Sequence, residues 1–163
     1  LVVAGESPFA TGRSLRRWFG YPAYLRDRIR ELGLQAHVEF TGLLDARGMA
    51  HRMARCHAYA MVSQIENSPN TLGEAMMLGM PCVSAFAGGA PGMAADGREA
   101  LFYRAEDPVG LAYLLKRLFD SDKLCGMLGD AAHARAAVTH DADANLRDLL
   151  AAYREILGGE VGT

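Results

Sequence analysis

Two glutamates, Glu66 and Glu74, carry the side chains that are best placed to do chemistry in this chain. They bracket the segment ENSPNTLGE, residues 66–74. An ionised carboxylate accepts hydrogen bonds from hydroxyl groups of a ligand. Two solvated glutamates at this spacing are common in a chain of this size. The pair therefore indicates a functional site only if the surrounding helix and loops place the two carboxylates around a ligand.

A helix is predicted to begin between the two glutamates. Ser68 is a good N-cap residue, and Pro69 suits the first helical position because its missing N–H would be unpaired there anyway. The backbone N–H groups of Asn70, Thr71 and Leu72 would then be free at the positive end of the helix. Such an end is a natural seat for phosphate.

The helix also sets where the second carboxylate lies. Glu74 is predicted about 7 Å further along the axis, at ~1.5 Å rise per residue, on the same face as Asn70. Glu66 lies just before the helix start, and Gly79 is the expected C′ residue after its end. An anion site with a carboxylate on either side suits a ligand with both phosphate and hydroxyl groups, such as a nucleotide sugar.

Length and composition place the chain among compact globular domains. It has 163 residues, of which half are hydrophobic, and a net charge of −2. That charge leaves no large basic surface for nucleic acid.

Cys56, Cys82 and Cys125 are odd in number and widely spaced, which predicts free thiols in a reducing, cytoplasmic compartment. The sequence shows neither a membrane span nor a signal peptide. It opens on a strand pattern without Met, so we expect a fragment of something longer.

Strand and helix patterns alternate along the chain. Helices are predicted at residues 21–32, 47–56, 68–78, 91–95, from Asp107-Pro108 to 119, and at 123–138 and 144–157. Strands are predicted at residues 1–5, 37–41, 57–62, 81–86 and 100–103. Repeated β-α units with short apolar strands predict an α/β fold, a doubly wound parallel sheet with helices on both faces. We expect one domain over residues 1–163, closed by C-terminal helices at about 123–157. Ligands of such folds bind in the loops at the carboxyl ends of the strands, where residues 66–74 fall.

The order of short motifs resembles a known family. It runs VEFTG (38–42), SQIE (63–66), LGEAM (72–76), GMPCV (79–83), GG (88–89), DG (96–97) and DP (107–108). This order is similar to the C-terminal, donor-binding half of retaining GT-B glycosyltransferases, a Rossmann-like domain. More narrowly, it resembles the "group one" family of bacterial surface-polysaccharide enzymes. The resemblance covers residues 1 to about 157.

The resemblance implies roles for individual residues. Glu66 would be the catalytic residue facing the donor sugar, and Glu74 would accept hydrogen bonds from the ribose hydroxyls. The Gly42-Leu43 corner would lie near the nucleobase. The diphosphate of a UDP- or GDP-linked sugar would be held without a metal or other cofactor by the helix start, which comprises Ser68, Asn70, Thr71 and Leu72.

Some parts of the family pattern do not occur in this sequence. The Arg/Lys pair that grips the diphosphate lies upstream of residue 1 in the family, as does the N-terminal domain that binds a glycan or lipid-linked acceptor. We therefore expect this chain alone to be inactive, and the full-length protein to associate peripherally with a membrane. Two clusters in the segment after residue 12 keep open roles: the cations Arg13, Arg16 and Arg17, and the aromatic residues Trp18, Phe19, Tyr21 and Tyr24.

Other assignments stay open. A sugar-nucleotide epimerase of the same fold, or a non-catalytic nucleotide- or phosphate-binding module, would share these motifs. Asp141-Ala142-Asp143 imitates a metal-binding motif, but it precedes a helix and is better explained as an N-cap. Gly88-Gly89 is expected to form a tight turn from a strand into a helix.

Overall fold

The computed structural model describes residues 1–5, 7–9 and 20–158. By their internal contacts the residues divide into two compact units, Leu1–Arg52 and Met53–Thr163, and each is described by itself. The expectation of a single domain over residues 1–163 stays a prediction.

The first unit contains two short parallel strands and two helices. Strand β1 (Val2–Val3) pairs in parallel with β2 (Glu39–Phe40). Gly42 donates its N–H to the carbonyl oxygen of Gly5 at 3.0 Å, just beyond the strands. Helix α1 covers Tyr21–Glu31 and α2 covers Ala46–Met53. The predicted alternation is confirmed, although both strands are shorter than expected.

The second unit is built on a three-stranded sheet. Strands β3 (Tyr59–Met61), β4 (Cys82–Ala85) and β5 (Leu101–Tyr103) lie in that order, and both pairs are parallel. Helix α3 (Asn70–Met77) connects β3 to β4, and α4 (Ala90–Met93) connects β4 to β5. The carboxyl ends of neighbouring strands therefore share one edge, as the sequence predicts.

Three helices follow the sheet, and each begins at a side-chain N-cap. They are α5 (Pro108–Phe119), α6 (Asp122–Thr139) and α7 (Ala142–Ile156). Asp107 accepts the N–H of Gly110 at 2.8 Å, and Ser121 caps α6 in the same way. Asp141 accepts the N–H of Ala144 at 2.7 Å, which confirms the N-cap interpretation of the Asp141-Ala142-Asp143 motif.

Helices cover both faces of the three-stranded sheet. The parallel register places Val83, Ala85, Leu101 and Tyr103 on one face, where they pack with Leu118 and other apolar side chains of α5 and α6. Successive side chains of a strand point to opposite faces. Tyr59 and its register partner Cys82 therefore lie on the other face, where the Tyr59 hydroxyl contacts α3. The predicted fold class, parallel sheets with helices on both sides in a Rossmann-like arrangement, is confirmed.

Within the residues that the structure describes, no helix has the length and apolar character needed to cross a bilayer.

Candidate functional site

The candidate site lies at the carboxyl edge of the three-stranded sheet. Strand β3 ends at Met61, and the loop after it leads through Glu66 to helix α3. Strand β4 ends at Ala85, and the loop after it leads through Gly88 to helix α4. The segment predicted to bind a ligand therefore connects β3 to α3, and the loop that connects β4 to α4 lies at the same edge of the sheet.

Helix α3 begins one residue later than predicted. Its N-cap is Pro69, with φ −73° and ψ 100°, and no side chain caps the helix. The Ser68 hydroxyl instead faces the sulfur of Met93 in α4, at 3.8 Å. The assignment of Ser68 as N-cap was therefore wrong, because its hydroxyl contacts helix α4 and not the first turn of α3. The other end agrees with the prediction, since Gly79 follows the helix with φ +68°.

The first turn of α3 leaves two backbone donors. The N–H of Leu72 donates to the Pro69 carbonyl oxygen at 3.0 Å, and Leu72 is fully buried. The prediction that Leu72 offers a free N–H was therefore wrong. Among the described residues, the N–H groups of Asn70 and Thr71 have no backbone acceptor, and both residues are exposed. The predicted anion seat is thus reduced to a pair of donors at a positive helix end.

The two glutamates differ in burial. Glu66 is half-buried in the loop before the helix, whereas Glu74 is exposed in α3. Glu74 lies four residues after Asn70, so the two side chains share a helical face. In sequence, the two free N–H groups therefore lie between two carboxylates. Glu66 precedes the helix, and Glu74 lies one turn into it.

Two glycines bring the neighbouring loop against the first glutamate. Gly88 has φ +51°, and a Cβ atom at this position would overlap the carbonyl oxygen of Glu66. Gly89 donates its N–H to the Asn67 carbonyl oxygen at 2.6 Å. The expectation of a tight turn at Gly88-Gly89 is confirmed. Because neither glycine has a side chain, the loop after β4 contacts the backbone of the loop before α3. This contact fixes the backbone position of Glu66.

Tyr59 is a residue of the site that the sequence analysis did not single out. Its hydroxyl lies 2.7 Å from the Thr71 hydroxyl in the first turn of α3. Burial raises the pKa of the Tyr59 phenol, and the negative charges of Glu66 and Glu74 add to that increase. The phenol is thus within electrostatic reach of both carboxylates. Its position at the start of a strand is typical of core aromatic residues, so no sequence signal marked it.

Helix α6 packs closely along the other flank of α3. A side chain at Gly73 would overlap the ring of His140, and one at Gly129 would overlap the carbonyl oxygen of Gly79. Nδ1 of His133 lies 2.7 Å from the carbonyl oxygen of Met77, one of the last acceptors of α3. The small residues therefore allow α6 to hold both ends of the site helix.

The predicted nucleobase corner belongs to the first unit. Gly42 has φ +74°, the Thr41 hydroxyl donates to the Gly42 carbonyl oxygen at 3.0 Å, and Leu43 is 87% exposed. These features give an open corner directly after β2, and its role stays a prediction.

The open sequence clusters are only partly described. Tyr21 and Tyr24 are exposed on α1, with ring centroids 6.3 Å apart. The remaining members lie outside the described residues: Arg13, Arg16, Arg17, Trp18 and Phe19. Within the described part of the chain, no group of three or more His, Cys, Asp or Glu side chains is arranged to hold a metal ion.

Comparison with known proteins identifies the family. The sequence matches the family of glycosyl transferases group 1 over residues 1–135. The chain belongs to the group 1 glycosyltransferases. The predicted resemblance is thereby confirmed at the level of the family. Comparison with curated proteins gives no match.

Solved structures show the same fold. Sucrose-phosphate synthase from Thermosynechococcus elongatus aligns with a TM-score of 0.81 and 19% identity, over 98% of this chain and 39% of that chain. Alr3699/HepE from Anabaena, in complex with UDP-glucose, aligns with a TM-score of 0.73 and 25% identity, over 83% of this chain and 35% of that one. The C-terminal domain of a group 1 family protein, LpcC from Francisella tularensis, aligns with a TM-score of 0.70 and 16% identity. This alignment covers 77% of the present chain and 65% of the other.

The present group 1 glycosyltransferase chain therefore spans about two fifths of the length of the longer proteins that it matches.

Proposed function

We propose that this chain binds the nucleotide-sugar donor of a retaining glycosyltransferase, which transfers a hexose-type sugar to a glycan or lipid-linked acceptor. The observation that carries the proposal is the start of α3. Two free N–H groups, of Asn70 and Thr71, lie there between the carboxylates of Glu66 and Glu74 in sequence. Phosphate oxygens need donors and sugar hydroxyls suit carboxylate acceptors, so this arrangement fits the two ends of a nucleotide sugar.

The comparisons support the donor class. Alr3699/HepE was solved in complex with UDP and with UDP-glucose. A uridine or guanosine diphosphate sugar is therefore the class of ligand that we propose for this chain.

The proposed chemistry follows from the charge that develops during transfer. When the bond from the anomeric carbon to the diphosphate breaks, negative charge grows on the leaving phosphate. The N–H groups of Asn70 and Thr71, at the positive end of α3, would stabilise that charge without a metal. Glu66 would face the sugar as the catalytic residue, and Glu74 would hold the ribose. Leu72 offers no free N–H in this scheme, because it donates to the Pro69 carbonyl oxygen, and the Ser68 hydroxyl faces Met93.

The full-length enzyme would supply what this chain lacks. We propose that an upstream domain binds the acceptor and provides cations for the diphosphate, so that this chain alone is inactive. We also propose a cytoplasmic, membrane-peripheral enzyme, and the cytoplasmic location is supported by the three cysteines, which form no disulfide.

The decisive experiment is a titration with a panel of UDP-, GDP- and ADP-sugars, monitored by ligand-observed NMR. We expect one nucleotide to bind selectively. Glu74→Ala should weaken it about 10- to 100-fold, because the hydrogen bonds of a charged acceptor to the ribose are lost. Glu155→Ala, which removes an exposed carboxylate on α7, is the matched control and should bind as wild type.

Two results would contradict the proposal. One is equal binding of the selected nucleotide by wild type and Glu74→Ala. The other is binding of no nucleotide sugar by a folded chain and by the full-length protein alike, which would favour a non-catalytic module.

A further inference from the structure

The hydroxyl of Tyr59 connects the sheet to the first turn of the site helix. Tyr59 opens β3, and Thr71 is the second residue of α3. Their hydroxyl oxygens are 2.7 Å apart, which is a short and well-formed hydrogen bond. The bond joins residues 12 positions apart, so it ties the helix start to the strand independently of the intervening loop.

A hydrogen bond to Thr71 acts directly on the proposed phosphate-binding turn. Its backbone N–H is one of the two free donors at the helix start, and its side chain is exposed. The first turn of a helix lacks the internal hydrogen bonds of later turns, so its direction depends on other contacts. Because no side chain caps α3, the hydrogen bond from Tyr59 helps to hold the first turn of the helix in place.

We propose that Tyr59 is a positioning residue of the donor site, which holds the Thr71 N–H in the direction of the donor phosphate. The inference rests on the function proposed above and assigns to that site a residue on the strand beneath it. Tyr59 acts through Thr71 and does not need to touch the sugar.

The surroundings of the phenol favour this role over simple packing. Tyr59 is half-buried, and both glutamates of the site lie near enough for their charges to raise its pKa. The phenol therefore keeps its proton at neutral pH. A phenylalanine would fill the same volume but would leave the Thr71 hydroxyl without this partner.

The test separates phosphate binding from nucleoside binding. Dissociation constants are measured on the full chain for UDP and uridine, with GDP and guanosine in parallel. Tyr59→Phe should weaken the nucleoside diphosphate that wild type binds by about three- to tenfold, the effect of one neutral hydrogen bond. The corresponding nucleoside should bind unchanged, because it has no phosphate. Tyr113→Phe, which removes an exposed phenol on α5, is the matched control.

A second variant removes the other partner of the same hydrogen bond. Thr71→Val keeps the shape and the N–H of residue 71 and removes only its hydroxyl. It should cause the same loss as Tyr59→Phe, and the double variant should lose no more than either single one, because both remove one bond. If Tyr59→Phe does not fold, Thr71→Val alone decides.

The outcomes distinguish this inference from the proposed function. If wild type binds a nucleoside diphosphate and the two variants bind it equally well, the positioning role is wrong and the donor site stands. An equal loss for nucleoside and diphosphate would also overturn it, since that indicates a general structural defect. If neither this chain nor the full-length protein binds UDP or GDP, both proposals fall.

Discussion

Gly88→Ala should disturb the candidate site more than any change of comparable size nearby. The residue has φ +51°, a left-handed conformation that costs a non-glycine residue about 1–2 kcal/mol. The new Cβ would also overlap the Glu66 carbonyl oxygen and lie 3.2 Å from the Glu66 Cα. The loop that carries Glu66 would have to move by roughly 2 Å to restore van der Waals contact.

The expected magnitudes follow from these two effects. The free energy of unfolding should fall by about 1–3 kcal/mol, the usual cost of a strained backbone position. Displacement of a catalytic group by about 1 Å can reduce turnover by roughly 100-fold, and this is the loss we expect for sugar transfer by the full-length enzyme. Because Glu66 is proposed to face the sugar, binding of the nucleotide sugar should weaken more than binding of the nucleotide alone.

The assays are urea unfolding, amide NMR spectra and the donor titration, each compared with Gly92→Ala. Gly92 is four residues away, is exposed in α4 and has open space where its Cβ would be. Alanine there should be neutral or stabilising by up to about 1 kcal/mol. The reasoning would be refuted if both variants had the same stability and the amide signals of Glu66 and Asn67 did not shift in Gly88→Ala.

Two further predictions concern the core. Leu128→Ala should lower the free energy of unfolding by about 2–5 kcal/mol, because Leu128 is 1% exposed in the core beside the sheet. The exposed Met127→Ala should change it little, and equal losses would argue against the packing described for α6. Burial raises the pKa of the Cys82 thiol from 9.0 to about 12. Between these values the unfolded chain has lost a proton that the folded chain keeps, so stability should fall as pH rises. Unfolding measured from pH 9 to 11 should show a shallower decline for Cys82→Ala, and identical slopes would contradict the assignment.

Local sequence signals predicted the order of the elements well. Each predicted helix and strand corresponds to one in the structure, and the cap at Asp141 is formed by the expected side chain. These features depend on residues within three or four positions of each other, so a pattern along the chain is enough to reveal them. The glycine after α3, Gly79, belongs to the same class.

The Ser68 error and the omission of Tyr59 share a different cause, which is contact between residues far apart in the sequence. Ser68 faces Met93, which lies 25 positions away, and so it does not cap α3. Tyr59 reaches Thr71 across the strand-to-helix loop. Both contacts depend on how separate elements pack, and no local pattern encodes them. The Leu72 error is local: its N–H donates to the Pro69 carbonyl oxygen three residues back, a 3₁₀-type bond that tightens the first turn of α3 and removes one free donor.

The contacts that build the candidate site are made largely by backbone atoms and by residues without bulk. Gly88 and Gly89 allow one loop to touch the backbone of the other, and Gly73 allows the ring of His140 to approach α3. At Gly88 and Gly89 an added Cβ would meet backbone atoms of the other loop, which cannot move aside as a side chain can. All these contacts lie within Met53–Thr163. The geometry of the free N–H groups and of Glu66 is therefore set inside this unit, and substitutions at Gly88 and Gly89 should affect the site as strongly as substitutions at the glutamates themselves.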